Sequence, residues 1–146
     1  MRIQRVGDHQ LPLPQRIARG APGWRLQASE GTVIDPGEVA KIPTGFAWEI
    51  DPASAKGIPD IGIPTMEFGM IRDLSSGPQQ GRVVEAGVVD GDCRREIHVY
   101  MRNHGTERVE IVAGDFIAQM IVMVAAVYPL EESDSLSEPE SPPEDL

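Results

Sequence analysis

An all-β domain, a barrel or a sandwich, is the fold class this sequence predicts, and three observations carry it. Short runs rich in Val, Ile, Thr and aromatic residues recur along the chain with Gly and Pro between them. That is the pattern of many short strands joined by turns. No long segment sets apolar residues at helical spacing between capping residues. The length, 146 residues, suits one domain that is large enough to bury a real core.

The elements follow in order. Gly31-Thr32-Val33-Ile34 reads as a strand, then Glu38-Val39-Ala40-Lys41-Ile42 and Phe46-Ala47-Trp48-Glu49-Ile50 as two more, with Pro43 and Gly45 between them. A short helix is expected between Arg72 and Ser76. Arg82-Val83-Val84-Glu85 is β-type, and Glu96-Ile97-His98-Val99-Tyr100-Met101 alternates as a half-buried strand does. Arg108-Val109-Glu110-Ile111-Val112 and Ile121-Val122-Met123-Val124 complete the set. The longest apolar run, Phe116 to Val127, is interrupted by Gln119 and has the size of a buried strand, not of a membrane span. No internal repeat is visible.

Composition narrows the function classes. The formal net charge of -10 argues against a general nucleic-acid binder, which would need a basic face. One nucleotide in a local basic pocket remains compatible with it. A lone cysteine, Cys93, excludes an internal disulfide framework and a cysteine-rich zinc site, and three scattered histidines make a protein-only zinc site a poor reading. The first residues hold no apolar signal core. A cytoplasmic protein with no membrane partner is expected. From Glu131 onward, acidic residues alternate with Ser and Pro, and only Leu136 and Leu146 are apolar. Such a segment buries too little surface to offset its ordering entropy. The expected division is a β domain over residues 1–128 and a disordered acidic tail over 129–146.

The residues with the most chemical content are Gly87-Val88-Val89-Asp90-Gly91-Asp92-Cys93-Arg94-Arg95. They place a carboxylate, Asp90, at a tight turn before an alternating strand, with glycines that open backbone conformations closed to other residues. An Asp there is ordinarily a turn former. A general base needs geometry and pKa as well. Cations beside Cys93 favour a thiolate, but no sequence-adjacent base accompanies it. His98 fits a strand position, His104 a local turn, and Trp24 and Trp48 a core or a subunit interface.

Four segments in fixed order then carry a resemblance. Gly20-Ala21-Pro22-Gly23-Trp24-Arg25-Leu26, Ile71-Arg72-Asp73-Leu74-Ser75-Ser76, Gly87-Val88-Val89-Asp90 through Arg95, and Gly114-Asp115-Phe116-Ile117-Ala118-Gln119 are similar to the first four motifs of the trimeric dUTPase family. The resemblance covers residues 1–128 and implies a distorted jelly-roll or β-clip barrel. It implies a homotrimer with sites between subunits, each hydrolysing dUTP to dUMP and pyrophosphate with Mg2+ on the substrate phosphates. Asp90 matches the residue that activates water. Ser75, Gln119, Arg94, Cys93 and Arg72 fall at or near substrate-binding positions, and no residue is implied as a direct metal ligand.

Departures from the motifs cluster at functional positions. Arg25 stands where the family has Asp, Leu74 where it has Arg, Ser76 and Arg95 where it has Gly, and Cys93 where it has a sugar-stacking Tyr. The acidic tail does not resemble the fifth motif, a glycine-rich arm with Arg that closes over the phosphates, and its charge would repel a triphosphate. The pattern therefore implies a pyrophosphohydrolase with a divergent site. A weakly active or inactive nucleotide-binding or regulatory protein on the same scaffold is the alternative. A dCTP deaminase shares the fold, but Tyr100 stands where its catalytic Glu would be.

Overall fold

The computed structural model describes residues 1–50 and 64–137. Among these residues the chain forms ten strands: β1 Arg2–Arg5, β2 Trp24–Gln27, β3 Thr32–Ile34, β4 Val39–Glu49, β5 Thr65–Arg72, β6 Arg82–Ala86, β7 Val88–Val89, β8 Glu96–Asn103, β9 Val109–Ile111 and β10 Phe116–Ala126. They build two four-stranded sheets, ordered β1-β4-β8-β6 and β2-β10-β5-β7, with β3-β9 as a separate pair. Every pairing is antiparallel. The all-β expectation holds. The core lies between the sheets, where Leu26, Ile42, Phe46, Val99, Ile117 and Met120 are fully buried or nearly so.

The two strands expected on either side of Pro43 are one bent strand, β4. Its pairing with β8 shifts register between Pro43 and Ala47. Pro43 has no N–H for the ladder, and Gly45 takes a positive φ of 74° that other residues resist. Side chains supply the missing bonds. Thr44 Oγ1 donates to the Ile97 carbonyl at 2.8 Å, and the Gly45 amide donates to Glu96 Oε1 at 2.7 Å.

β8 alternates as expected, with Ile97, Val99, Met101 and Asn103 buried and Glu96, His98, Tyr100 and Arg102 on the other face. Asn103 satisfies its buried amide fully. It donates to the carbonyls of Ile34 and Glu107 and accepts from the Gly105 amide. On the outer face Arg102 Nε donates to Glu85 at 2.6 Å and, with His104, holds that carboxyl below the usual carboxylate range.

Two expectations are corrected. No helix runs between Arg72 and Ser76. Arg72 ends β5, where it pairs with Gln119, and the Gly77 amide closes a turn on the Leu74 carbonyl before a single 3-10 turn at Pro78–Gln80. Ladder pairing overrides local preference there. The run from Phe116 to Val127 is buried only in its first part. β2 pairs with Phe116 through Met120 alone, and beyond it Met123 and Val124 are exposed beside Met66 of β5. Of the predicted aromatics, Trp48 is buried and meets the half-buried Trp24 edge to face at 6.2 Å.

Candidate active site

The Asp90 turn is set by crowding against β5. β7 pairs with Gly69 and Met70, and the Ile71 amide donates to the Gly87 carbonyl at 2.6 Å. The turn closes with the Cys93 amide on the Asp90 carbonyl at 3.0 Å. Neither Gly87 nor Gly91 has a positive φ. Their need is for space instead: a Cβ at Gly87 would lie 2.5 Å from the Ile71 carbonyl oxygen, and one at Gly91 would lie 2.4 Å from that of Glu67. The conformational freedom expected of these glycines is therefore not what the turn uses.

Beside this turn lies a cavity of about 660 Å³ whose wall includes Asp90, Cys93, Arg94, Arg95 and His98. Asp90 and Arg94 are exposed and Cys93 is half-buried. Three of the sequence-predicted residues are thus brought together.

The other three form a second group. Gln119 pairs in register with Arg25 on one side and Arg72 on the other, so these side chains share one face of the β2-β10-β5 sheet. Gln119 Nε2 donates to the Asp73 carbonyl at 3.1 Å, and Asp73 Oδ1 accepts from the Val84 amide. That tethers the turn bearing the exposed Ser75. Gly23 leaves the room that the Gln119 side chain occupies. The Arg25 guanidinium stacks over Phe116, 5.2 Å from the ring centroid. Arg72, Ser75 and Gln119 are not on the wall of the large cavity. Ile71 is buried in the core, and its strand neighbour Arg72 is exposed on the opposite face of β5, beside Gln119.

Magnesium has no ready-made cage. Among the described residues no three His, Cys, Asp or Glu side chains converge on a point where a metal could be held.

Sequence reasoning missed Glu49, which reaches Arg94 from β4, and the Lys41, His98 and Tyr100 face of the cavity. The alternation of β8 could have placed His98 and Tyr100 on one side. Nothing local could have paired Glu49 with Arg94.

The family model described as dUTPase matches residues 60–144, more than half of the chain. The chain belongs to the dUTPase family. Two curated relatives extend the likeness over nearly the whole length. The deoxyuridine 5'-triphosphate nucleotidohydrolase of Anaeromyxobacter sp. is 34% identical over 84% of this chain and 78% of its own, and that of Caldanaerobacter subterraneus is 36% identical over 96% and 90%. Solved structures agree on the fold. The dUTPase of phage phi11 of S. aureus, described with a structural Mg(II) ion, superposes with a TM-score of 0.75 at 17% identity, over 92% of this chain and 96% of that one. The Streptococcus mutans dUTPase gives 0.68 at 24% identity, over 89% and 98%. The matched range of this dUTPase-family chain contains Ser75, Asp90 and Gln119, and it includes residues 129–144 of the acidic segment.

Proposed function

We propose that the chain is a dUTP diphosphatase-type hydrolase with a divergent site, and that it works as a cytoplasmic homotrimer. The observation that carries this reading is Asp90, held on the wall of a nucleotide-sized cavity by a turn pressed against β5, in a chain of the dUTPase family. Asp90 takes a proton from water. The oxygen attacks phosphorus, the anhydride bond between the α- and β-phosphates breaks, and dUMP and pyrophosphate leave. Ser75, Gln119 and Arg72 bind phosphates, and Cys93 borders the sugar. Magnesium, when bound, neutralises phosphate charge. It would be carried on the substrate, not by side chains of this chain.

The separation of the two residue groups supports the trimer. One ligand that touches both needs Asp90 from one subunit and the Arg72–Ser75–Gln119 group from a neighbour. Exposed Met66, Val124 and Tyr128 offer apolar surface for such an assembly. Light scattering of the purified chain should give three times the subunit mass. A clean monomer at micromolar concentration would end the shared-site reading.

Arg25 on Phe116, Leu74 and Cys93 favour weak turnover over strong, and in the limit a binding protein. Cys93 offers no ring to crowd a ribose hydroxyl, so discrimination between dUTP and UTP should fall below about tenfold. Arg25 supplies a cation that needs no metal, so the dependence on magnesium should be shallow. Deleting residues 131–146 should leave activity unchanged or slightly higher, because Glu131, Glu132 and Asp134 repel a triphosphate. Pyrophosphate release is followed with all deoxynucleoside triphosphates and UTP, with and without magnesium, for the full chain and the truncation. Efficient, strictly magnesium-dependent turnover of dUTP alone that vanishes on truncation would reject the divergent site and make the tail a closing arm.

A further inference from the structure

The Arg94 guanidinium is engaged with the protein itself. Its Nη1 donates to the carbonyls of Gly91 at 3.0 Å and Cys93 at 2.9 Å, which belong to the turn that carries Asp90. Its Nη2 lies 3.4 Å from Glu49 Oε1. Glu49 is held in turn by Arg2, whose Nη2 donates to Oε1 at 2.7 Å while Nε lies 2.5 Å from Oε2. That two-pronged grip follows from backbone register, because Arg2 pairs with Glu49 across β1 and β4. These three charged residues and Trp48 line a smaller cavity of about 270 Å³, and Arg94 belongs to the walls of both cavities. The Glu49 side chain is 26% exposed, against 81% for Arg2 and 48% for Arg94. The carboxylate is thus the most shielded member of the chain of charges.

Resting on the hydrolase reading above, we propose that Glu49 and Arg2 are positioning residues for Asp90, acting through Arg94. Glu49, aligned by Arg2, holds the Arg94 guanidinium over the turn carbonyls, and Arg94 fixes the turn. Neither Glu49 nor Arg2 touches the reacting atoms. Without the guanidinium, water satisfies the two carbonyls but does not hold them in place. The turn then keeps its internal bond from Cys93 to Asp90 and its packing on β5. A base displaced by a fraction of an ångström loses part of its rate while ligand affinity stays. The N-terminal strand, remote in sequence from the motifs, thereby acts on turnover.

The test uses Glu49→Gln and Arg2→Met, the latter at a side chain that is 81% exposed, each in the full chain. With Glu49→Gln, kcat should fall by about tenfold, and with Arg2→Met by about threefold, while the Kd of a non-hydrolysable dUTP analogue changes by less than about twofold. A second readout does not need catalysis. Cys93 is the chain's one cysteine and sits at the end of the turn, so its reaction with a disulfide reagent reports on this turn alone. At one fixed alkaline pH, the labelling rate should rise about threefold or more in both variants relative to the native chain. Asp35→Asn, which removes the comparable surface pair with Arg108, should leave it unchanged. Unchanged kcat and labelling in both variants overturn the proposal. So does a loss of kcat matched by an equal loss of analogue affinity, which would make Arg94 a ligand contact. A native chain that hydrolyses no deoxynucleoside triphosphate removes the hydrolase reading instead, and the brace then stands or falls on whether labelling rises.

Discussion

Replacing Asp90 by Asn should lower turnover by at least about a hundredfold and leave nucleotide affinity within about twofold. The substitution keeps the shape of the side chain and removes its ability to accept a proton from water. Asp90 is exposed on the cavity wall, so the amide can be accommodated without a buried polar group losing a partner. The turn itself uses the Asp90 backbone carbonyl, which the substitution does not touch. Single-turnover kinetics and analogue binding separate the two effects. Full turnover in Asp90→Asn would mean that another group activates the water, and the assignment of this turn as the catalytic one would be lost.

Gly91→Ala should be the more damaging change to structure, though it adds only a methyl group. The new Cβ would lie 2.4 Å from the Glu67 carbonyl oxygen, closer than such atoms approach. The obstacle is backbone, not the end of a flexible side chain, so the turn must move off β5. Overpacking of this kind costs about 1–3 kcal/mol. A shift of about 1 Å at Asp90 should cost a further hundredfold in kcat. Denaturant unfolding and turnover measured on the same sample check both parts. A variant with native stability and native kcat would show that the turn is not pinned by this contact. It would also weaken the case that Asp90 is held in a defined place.

The fold class and most strands were legible because strand formation here follows local pattern. The alternation of β8 and the β-branched runs at β3, β6 and β9 are visible without any partner strand. β1 and β2 were missed because their sequences, Arg-Ile-Gln-Arg and Trp-Arg-Leu-Gln, are strands only through pairing with β4 and β10. β5 was obscured in the same way. Its glycine, a weak strand former, lies where Met120, Val89 and Ile50 close in on it. The merging of two predicted strands into β4 depended on Thr44 and Glu96 bridging the bulge, which are contacts across the sheet.

The candidate site divides along the same line. The sequence alone determined the residue types and their order, since motif spacing is a property of the chain: Asp90 between glycines, Ser75 after Leu74, Gln119 in the last long strand. Tertiary structure decided what those residues can do together. The pairing of β10 with β2 and β5 gathered Arg25, Gln119 and Arg72 on one sheet face, and Arg72 and Gln119 are not on the cavity wall that carries Asp90. The close approach of β5 made Gly87 and Gly91 necessary for space and not for their dihedral range. The pairing of β1 with β4 brought Arg2 and Glu49 to Arg94. Each of these depends on a distance between residues far apart in the chain, which local periodicity does not encode and only the packed sheets supply.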